Sequence, residues 1–237
     1  MRYNLKDLLR QKTSDTAVYL GSGESINEIT KEQWNIIKNF DTWGINNWHY
    51  HPFVPTFFSA EVKSYNRPLW KKRQLQRLPE YQNVKYICSS NKNMPEFIDY
   101  SLFDVFVYDM NKIGDERIPV PNHKIDMNPK PNTLTCVGGV SISILMELYF
   151  RMEYKRIIML GTDMMTGKYF WSGKPEFGEV HEQTNKAREG KDPNLPHNTA
   201  HMKSYIINYS KKYIPIYICT KNTLLYPEIP FLPFESL

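Results

Sequence analysis

The chain predicts an α/β fold: a single domain, 1–237, with a mostly parallel sheet flanked by helices and a lid-like insertion at 166–196. Three observations predict it. Short apolar runs alternate with helical stretches, as they do when parallel strands are joined by helical crossovers. The 237 residues suffice for one sizeable, well-buried core, and neither an internal repeat nor a second hydrophobic core breaks the alternation. Two stretches rich in Pro, Gly and polar residues, 109–135 and 166–196, are too long to be ordinary turns. The first reads as a long connection, and the second as either a lid over a cleft or plain disorder.

The elements follow in order. A first strand is expected at 17–20, where "AVYL" is ended by the turn Gly21-Ser22-Gly23. A helix at 25–39 opens on Ser25 with Glu28 three residues later, a pairing in which the side chains can satisfy the first free amides. Strands are expected at 42–45, 56–59, 85–88 and 105–108, with a helix at 67–77. A helix at 139–151, a strand at 156–160, a helix at 201–213 and a strand at 214–219 complete the pattern.

Composition narrows the function. Apolar residues make up 41% and charged residues 23%, with 16 Tyr and 12 Phe, so the core or a cleft is rich in rings. The net charge of +5 suits a small anionic ligand better than a nucleic-acid groove, so nucleic acid is not an expected partner. Cys88, Cys136 and Cys219 are odd in number, lack metal-ligand spacing and sit among apolar neighbours, which points to a reducing compartment. The N-terminal "MRYNLKDLLRQK" has no apolar signal core, and the longest apolar run, 137–150, contains Glu147 and two serines. A cytoplasmic location is expected.

In open parallel sheets, ligands bind beyond the carboxyl ends of the strands. The residues there are Gly21, Ser22, Gly23 and Ser25; Asn46 and Asn47; Ser59 and Glu61; Gly138 and Gly139 before a helix; and Asp163, with Tyr169 beyond it. The glycine turn reads either as a bend that offers free N–H groups to a phosphate or as a tight strand–helix connection. Asn46-Asn47 can meet a base, ribose or phosphate, or form an Asx turn. Asp163 can touch a ligand or brace a loop. His197 and His201, one helical turn apart, lack the third ligand and glutamate of a zinc site, so no metal is expected. His197 reads either as a general base or as a helix-cap histidine.

Taken in order, these motifs resemble the bacterial sialyltransferases that act on lipooligosaccharide, and the related motility-associated flagellin glycosyltransferases. The family's G-N-G-P-S turn stands here as Gly21-Ser22-Gly23-Glu24-Ser25, and its "FDVFRCN" strand as "FDTWGIN", ending at Asn46. Its "GYKEIYLSGID" is matched by "EYKRIIMLGTD", ending at Asp163, and its "KLYCLCPNSLL" by "PIYICTKNTLL". The catalytic histidine of the family falls on His197. The resemblance runs from about residue 17 to about 228, with the middle third poorly matched. It implies a single Rossmann-like domain and metal-independent, inverting transfer from CMP-sialic acid or a related donor to a glycan hydroxyl, with no cofactor. It assigns the donor to Gly21, Ser22, Gly23, Ser25, Asn46, Asn47, Ser59, Gly138, Gly139, Asp163 and Met164. Met164-Met165 stand where the family has an aromatic pair, and Tyr169 is the candidate replacement for its phosphate-binding tyrosines. The rival readings are a Mg²⁺-dependent transferase resembling the pterin pyrophosphokinases, which would pair Asp163 with Glu61, and a non-catalytic nucleotide-binding protein. The tail "YPEIPFLPFESL" is expected to dock on its own domain or a neighbouring subunit, with peripheral membrane contact as the alternative; homo-oligomers occur among the family's members.

Overall fold

Parallel pairing organises the molecule, as the alternating apolar runs require. The computed structural model describes residues 1–59, 78–90, 103–113, 125–126, 128–137, 141–164, 168–174 and 199–237. Among these, the strands are β1 (Arg2–Asn4), β2 (Thr16–Leu20), β3 (Asp41–Ile45), β4 (Phe57–Ser59), β5 (Lys85–Ser89), β6 (Asp104–Ile113), β7 (Thr133–Val137), β8 (Arg156–Leu160) and β9 (Ile216–Ile218). They form one sheet in the order β1-β6-β5-β4-β3-β2-β8-β9, with β7 also paired to β6, and every strand pair is parallel. The helices are α1 (Leu5–Leu9), α2 (Lys31–Ile37), α3 (Leu78–Tyr81), α4 (Ser141–Arg151) and α5 (Thr199–Lys212).

Side-chain alternation along the central strands divides the core between the two faces of the sheet. Ala17 and Tyr19 of β2 pack with Leu145 and Leu148 of α4 and Ile206 of α5. Val18 and Leu20 pack on the other face with Ile37, Trp48, Phe58 and Phe170. All five residues of β2 and of β3 are buried, as expected for strands covered on both faces. From β2 the chain steps through β3 and β4 toward one edge, while β8 and β9 lie on the opposite side. The strand order therefore reverses between β2 and β8, and the carboxyl ends at that point form a natural crevice.

Several expected elements are corrected. The helix expected at 25–39 is a 3₁₀ turn, Glu24–Glu28, followed by α2 from Lys31. Its cap is not Ser25 with Glu28 but Thr30 with Gln33: the Gln33 amide donates to Thr30 Oγ1 (3.3 Å), and the Thr30 amide to Gln33 Oε1 (3.0 Å). The supposed connection at 109–135 contains the second half of β6 and most of β7. The expected helix at 67–77 lies outside the described residues. β1 was not anticipated; it pairs with β6 across about a hundred residues of sequence.

β7 has β6 on one side, and side chains of α4 serve its backbone. Ser143, Glu147 and Arg151 recur every four residues and so share a helix face. Ser143 Oγ accepts from the Val137 amide (2.9 Å), Glu147 Oε2 accepts from the Thr135 amide (2.5 Å), and Arg151 Nη2 donates to the Thr133 carbonyl (2.5 Å). Glu147 and Arg151 also form an ion pair, both nearly fully buried. At the other end of the sheet the C-terminal tail docks on its own domain. It returns to β9 through Ile218 N–H to the Pro230 carbonyl (3.1 Å) and Leu232 N–H to the Ile218 carbonyl (2.9 Å), and it buries Phe234. Among the described residues, no helix is long and apolar enough to cross a membrane.

Candidate functional site

At the reversal point, two strand-end turns are laced together. The Gly21 amide donates to the Leu160 carbonyl (2.8 Å) and the Gly23 amide to the Gly161 carbonyl (2.7 Å). The approach is so close that a Cβ added at Gly21 would lie 2.4 Å from the Gly161 oxygen, and one at Gly23 would lie 2.4 Å from Asp163 Oδ2. Glycine is needed here to let two backbones meet. These N–H groups are therefore engaged within the protein, and the following 3₁₀ turn is too short to add a substantial helix dipole. The anion-cradle reading of Gly21 and Gly23 is corrected on this point: they shape the turn, and its half-buried tip is Ser22.

Ser25 and Asp163 lock the arrangement. Asp163 Oδ2 accepts from the Ser25 amide (2.9 Å), and Oδ1 accepts from the Ser25 hydroxyl. Both residues are buried. Burial pushes the Asp163 carboxyl above the ordinary carboxylate range, against the opposing pull of the Ser25 hydrogen bonds. The loop after β9 joins the same knot: the Leu224 amide donates to the Asp163 carbonyl (3.0 Å), and the Thr223 hydroxyl to the Thr162 carbonyl (2.7 Å). With both carboxylate oxygens committed to Ser25, Asp163 braces the turn. Glu61, its partner in the Mg²⁺ reading, lies outside the described residues.

Tyr169 is brought to the same place. It forms an antiparallel bridge with Gly23, and the next amide, Phe170, donates to the Ser22 carbonyl (3.1 Å). The Tyr169 ring lies flat on Trp171, with centroids 4.5 Å apart and planes 3° from parallel. Phe170 stands edge-on to Trp48 and His51, at 5.3 and 5.4 Å. Asn27 Nδ2 donates to the Phe170 carbonyl (3.1 Å). The described start of the expected lid, 168–174, is thus clamped onto the turn by backbone bonds and an aromatic cluster. The abundance of rings in the sequence hinted at such a cluster, but nothing local located it.

Asn46 and Ser59 form a neighbouring pair on the rim. Asn46 has φ +49°, a left-handed conformation that Asn tolerates better than most residues, and its amide donates to the Ser59 carbonyl (3.2 Å). Asn47 is half-buried at the start of the short turn Trp48–Tyr50, and its carbonyl accepts from the Tyr50 amide (3.0 Å). Met164, at φ +58°, packs against the core on the α4–α5 face. The structure therefore gathers Gly21, Ser22, Gly23, Ser25, Asp163 and Tyr169 in one knot, with Asn46, Asn47 and Ser59 at adjoining strand ends. His197, Gly138 and Gly139 lie outside the described residues, and His201 falls in the first turn of α5.

No family model matches the chain, and no curated protein sequence matches it. Among solved structures, an alpha-2,3-sialyltransferase from Campylobacter jejuni, in apo form, is similar over 95% of this chain and 84% of its own, with 13% sequence identity and a TM-score of 0.52. The likeness is one of fold, and it agrees with the mostly parallel α/β sheet derived above.

Proposed function

We propose that the protein is a glycosyltransferase that moves sialic acid, or a related sugar, from a CMP-activated donor to a glycan hydroxyl, with inversion and without a metal. One observation carries the reading: the glycine turn, the Asp163 brace and the Tyr169 segment converge at the sheet's reversal point, in a fold that follows a sialyltransferase along nearly the whole chain. On this reading Gly21, Gly23, Ser25 and Asp163 hold the turn in shape, while Ser22, Asn46, Asn47 and Ser59 meet the donor's phosphate and sugar. Gly138 and Gly139 are assigned to the nucleotide. His197 takes the proton from the acceptor hydroxyl as its oxygen attacks the anomeric carbon, and the bond from that carbon to the phosphate oxygen breaks. The departing CMP carries the bonding electron pair, and hydroxyl and amide donors, Tyr169 included, stabilise its charge. The reaction belongs to the cytoplasm, where the nucleotide sugar and a glycan acceptor meet.

A thermal-shift series with CMP, CDP, UDP, GDP and ATP, each with and without Mg²⁺, tests this. A ligand at 100 times its dissociation constant stabilises by about 2.7 kcal/mol, which is roughly 5–10 °C for a domain of this size. CMP is expected to give such a shift whether or not Mg²⁺ is present. A shift confined to ATP with Mg²⁺ would overturn the proposal in favour of a metal-dependent transferase.

A further inference from the structure

A cavity of about 330 Å³ lies beside the glycine turn. Gly161, whose carbonyl anchors the Gly23 amide, forms part of its wall, so the cavity adjoins the turn. Its other walls come from the Ser25–Ile29 region, the end of β9 and the C-terminal tail. The volume falls within the range of small-molecule sites.

The lining is chemically specific. Ile29, Leu160, Phe231 and Phe234 supply apolar surface. Glu28 and Glu235 are exposed carboxylates at its border, where they can accept hydrogen bonds. Gln33 uses its side-chain oxygen on the Thr30 amide, which leaves its NH₂ to donate. Thr220 Oγ1 accepts from the Asn222 amide (3.1 Å), which leaves its O–H to donate. Among the described lining residues there is no Lys or Arg. Burial, with Glu235 adding to it, pushes the half-buried Cys219 thiol up to about 12, so it remains neutral.

Mixed donors and acceptors around an apolar patch suit a polyhydroxyl ring with one hydrophobic face, and two carboxylates with no Lys or Arg among the described lining residues disfavour an anion. We propose that this cavity binds an uncharged saccharide ring and excludes anionic sugars. It thereby serves as a subsite for the glycan acceptor, an assignment of role that rests on the glycosyltransferase reading. The binding itself does not depend on that reading.

Saturation-transfer NMR on the full chain, without nucleotide, tests the proposal with methyl β-glucopyranoside and methyl β-glucuronide as probes. The neutral glycoside should receive saturation from the protein. The uronide should bind about fivefold or more weakly, as repulsion between exposed like charges at contact implies. Phe231→Ala, at a residue already 37% exposed, should weaken the neutral ligand. The paired change Glu28→Gln with Glu235→Gln should bring the uronide to parity. Equal binding of both probes to the unaltered protein, binding of neither, or indifference to both variants would overturn the site. The CMP thermal shift, measured on the same samples, separates the two ideas. Glycoside binding without a CMP response would sink the transferase reading and leave the cavity assignment standing, while a CMP response without glycoside binding would sink the cavity alone.

Discussion

Replacing Gly161 with alanine should cost far more than the same change at Gly173, although both residues have positive φ, +63° and +76°. A left-handed backbone costs alanine about 1–2 kcal/mol, and at Gly173 that is the whole effect, because an added Cβ would meet nothing within 4 Å. At Gly161 the Cβ would lie 2.6 Å from Ile26 Cγ1 and 2.8 Å from the Gly21 carbonyl oxygen. The turn cannot simply retreat, because the Gly23 amide holds the Gly161 carbonyl at 2.7 Å and Ile26 is fully packed beneath it. Overpacking of this kind adds about 1–3 kcal/mol. The expected loss for Gly161→Ala is therefore about 2–5 kcal/mol, against about 1–2 kcal/mol for Gly173→Ala. Urea unfolding of the two variants beside the parent reads the difference directly, provided the slopes agree. Equal losses would refute the argument that two glycine-bearing turns are held in backbone contact.

The Asp163–Ser25 brace predicts a pH signature. Because burial raises the Asp163 carboxyl in the folded state, its contribution to stability is full below the ordinary carboxylate value of about 4 and is lost as pH rises through the elevated one. Relative to Asp163→Asn, the parent should therefore lose stability between acid and neutral pH in parallel urea melts; parallel curves would count against it. In the α4–β7 latch, Glu147→Ala should cost about 3–5 kcal/mol by leaving Arg151 buried and unpaired, while Glu147→Met with Arg151→Met should cost less than that single change. Denaturant midpoints of the two variants decide this, and a double variant worse than the single one would contradict it. Phe234→Ala should destabilise by about 3 kcal/mol if the tail is part of the core, and a change near zero in thermal unfolding would show that it is not.

The central strands were legible because residues such as Val18, Trp43 and Ile158 lie in short apolar runs, buried on both faces of the sheet. β7 was harder to see. "TLTCV" alternates properly, but it follows the prolines at 129 and 131, and its outward groups are satisfied by α4 rather than by solvent. The three residues of β1 carry no period, and their strand character comes from β6, about a hundred residues away. Ser25 and Glu28 mimic a helix cap in sequence, whereas the Ser25 hydroxyl is directed to Asp163, 138 residues along the chain. That is the general limit at this site. Residue type and position at strand ends were readable, but which amides and carboxylates satisfy one another depends on pairing between β2 and β8, which no local pattern encodes.

The most direct test of the account is transfer itself. Purified protein would be incubated with CMP-sialic acid, a neutral glycan acceptor and excess EDTA, and the product's anomeric configuration read by NMR. CMP release coupled to an inverted glycoside is expected, abolished by His197→Ala with CMP binding nearly intact. A product of retained configuration, a strict requirement for divalent metal, or undiminished transfer by the His197 variant would contradict it.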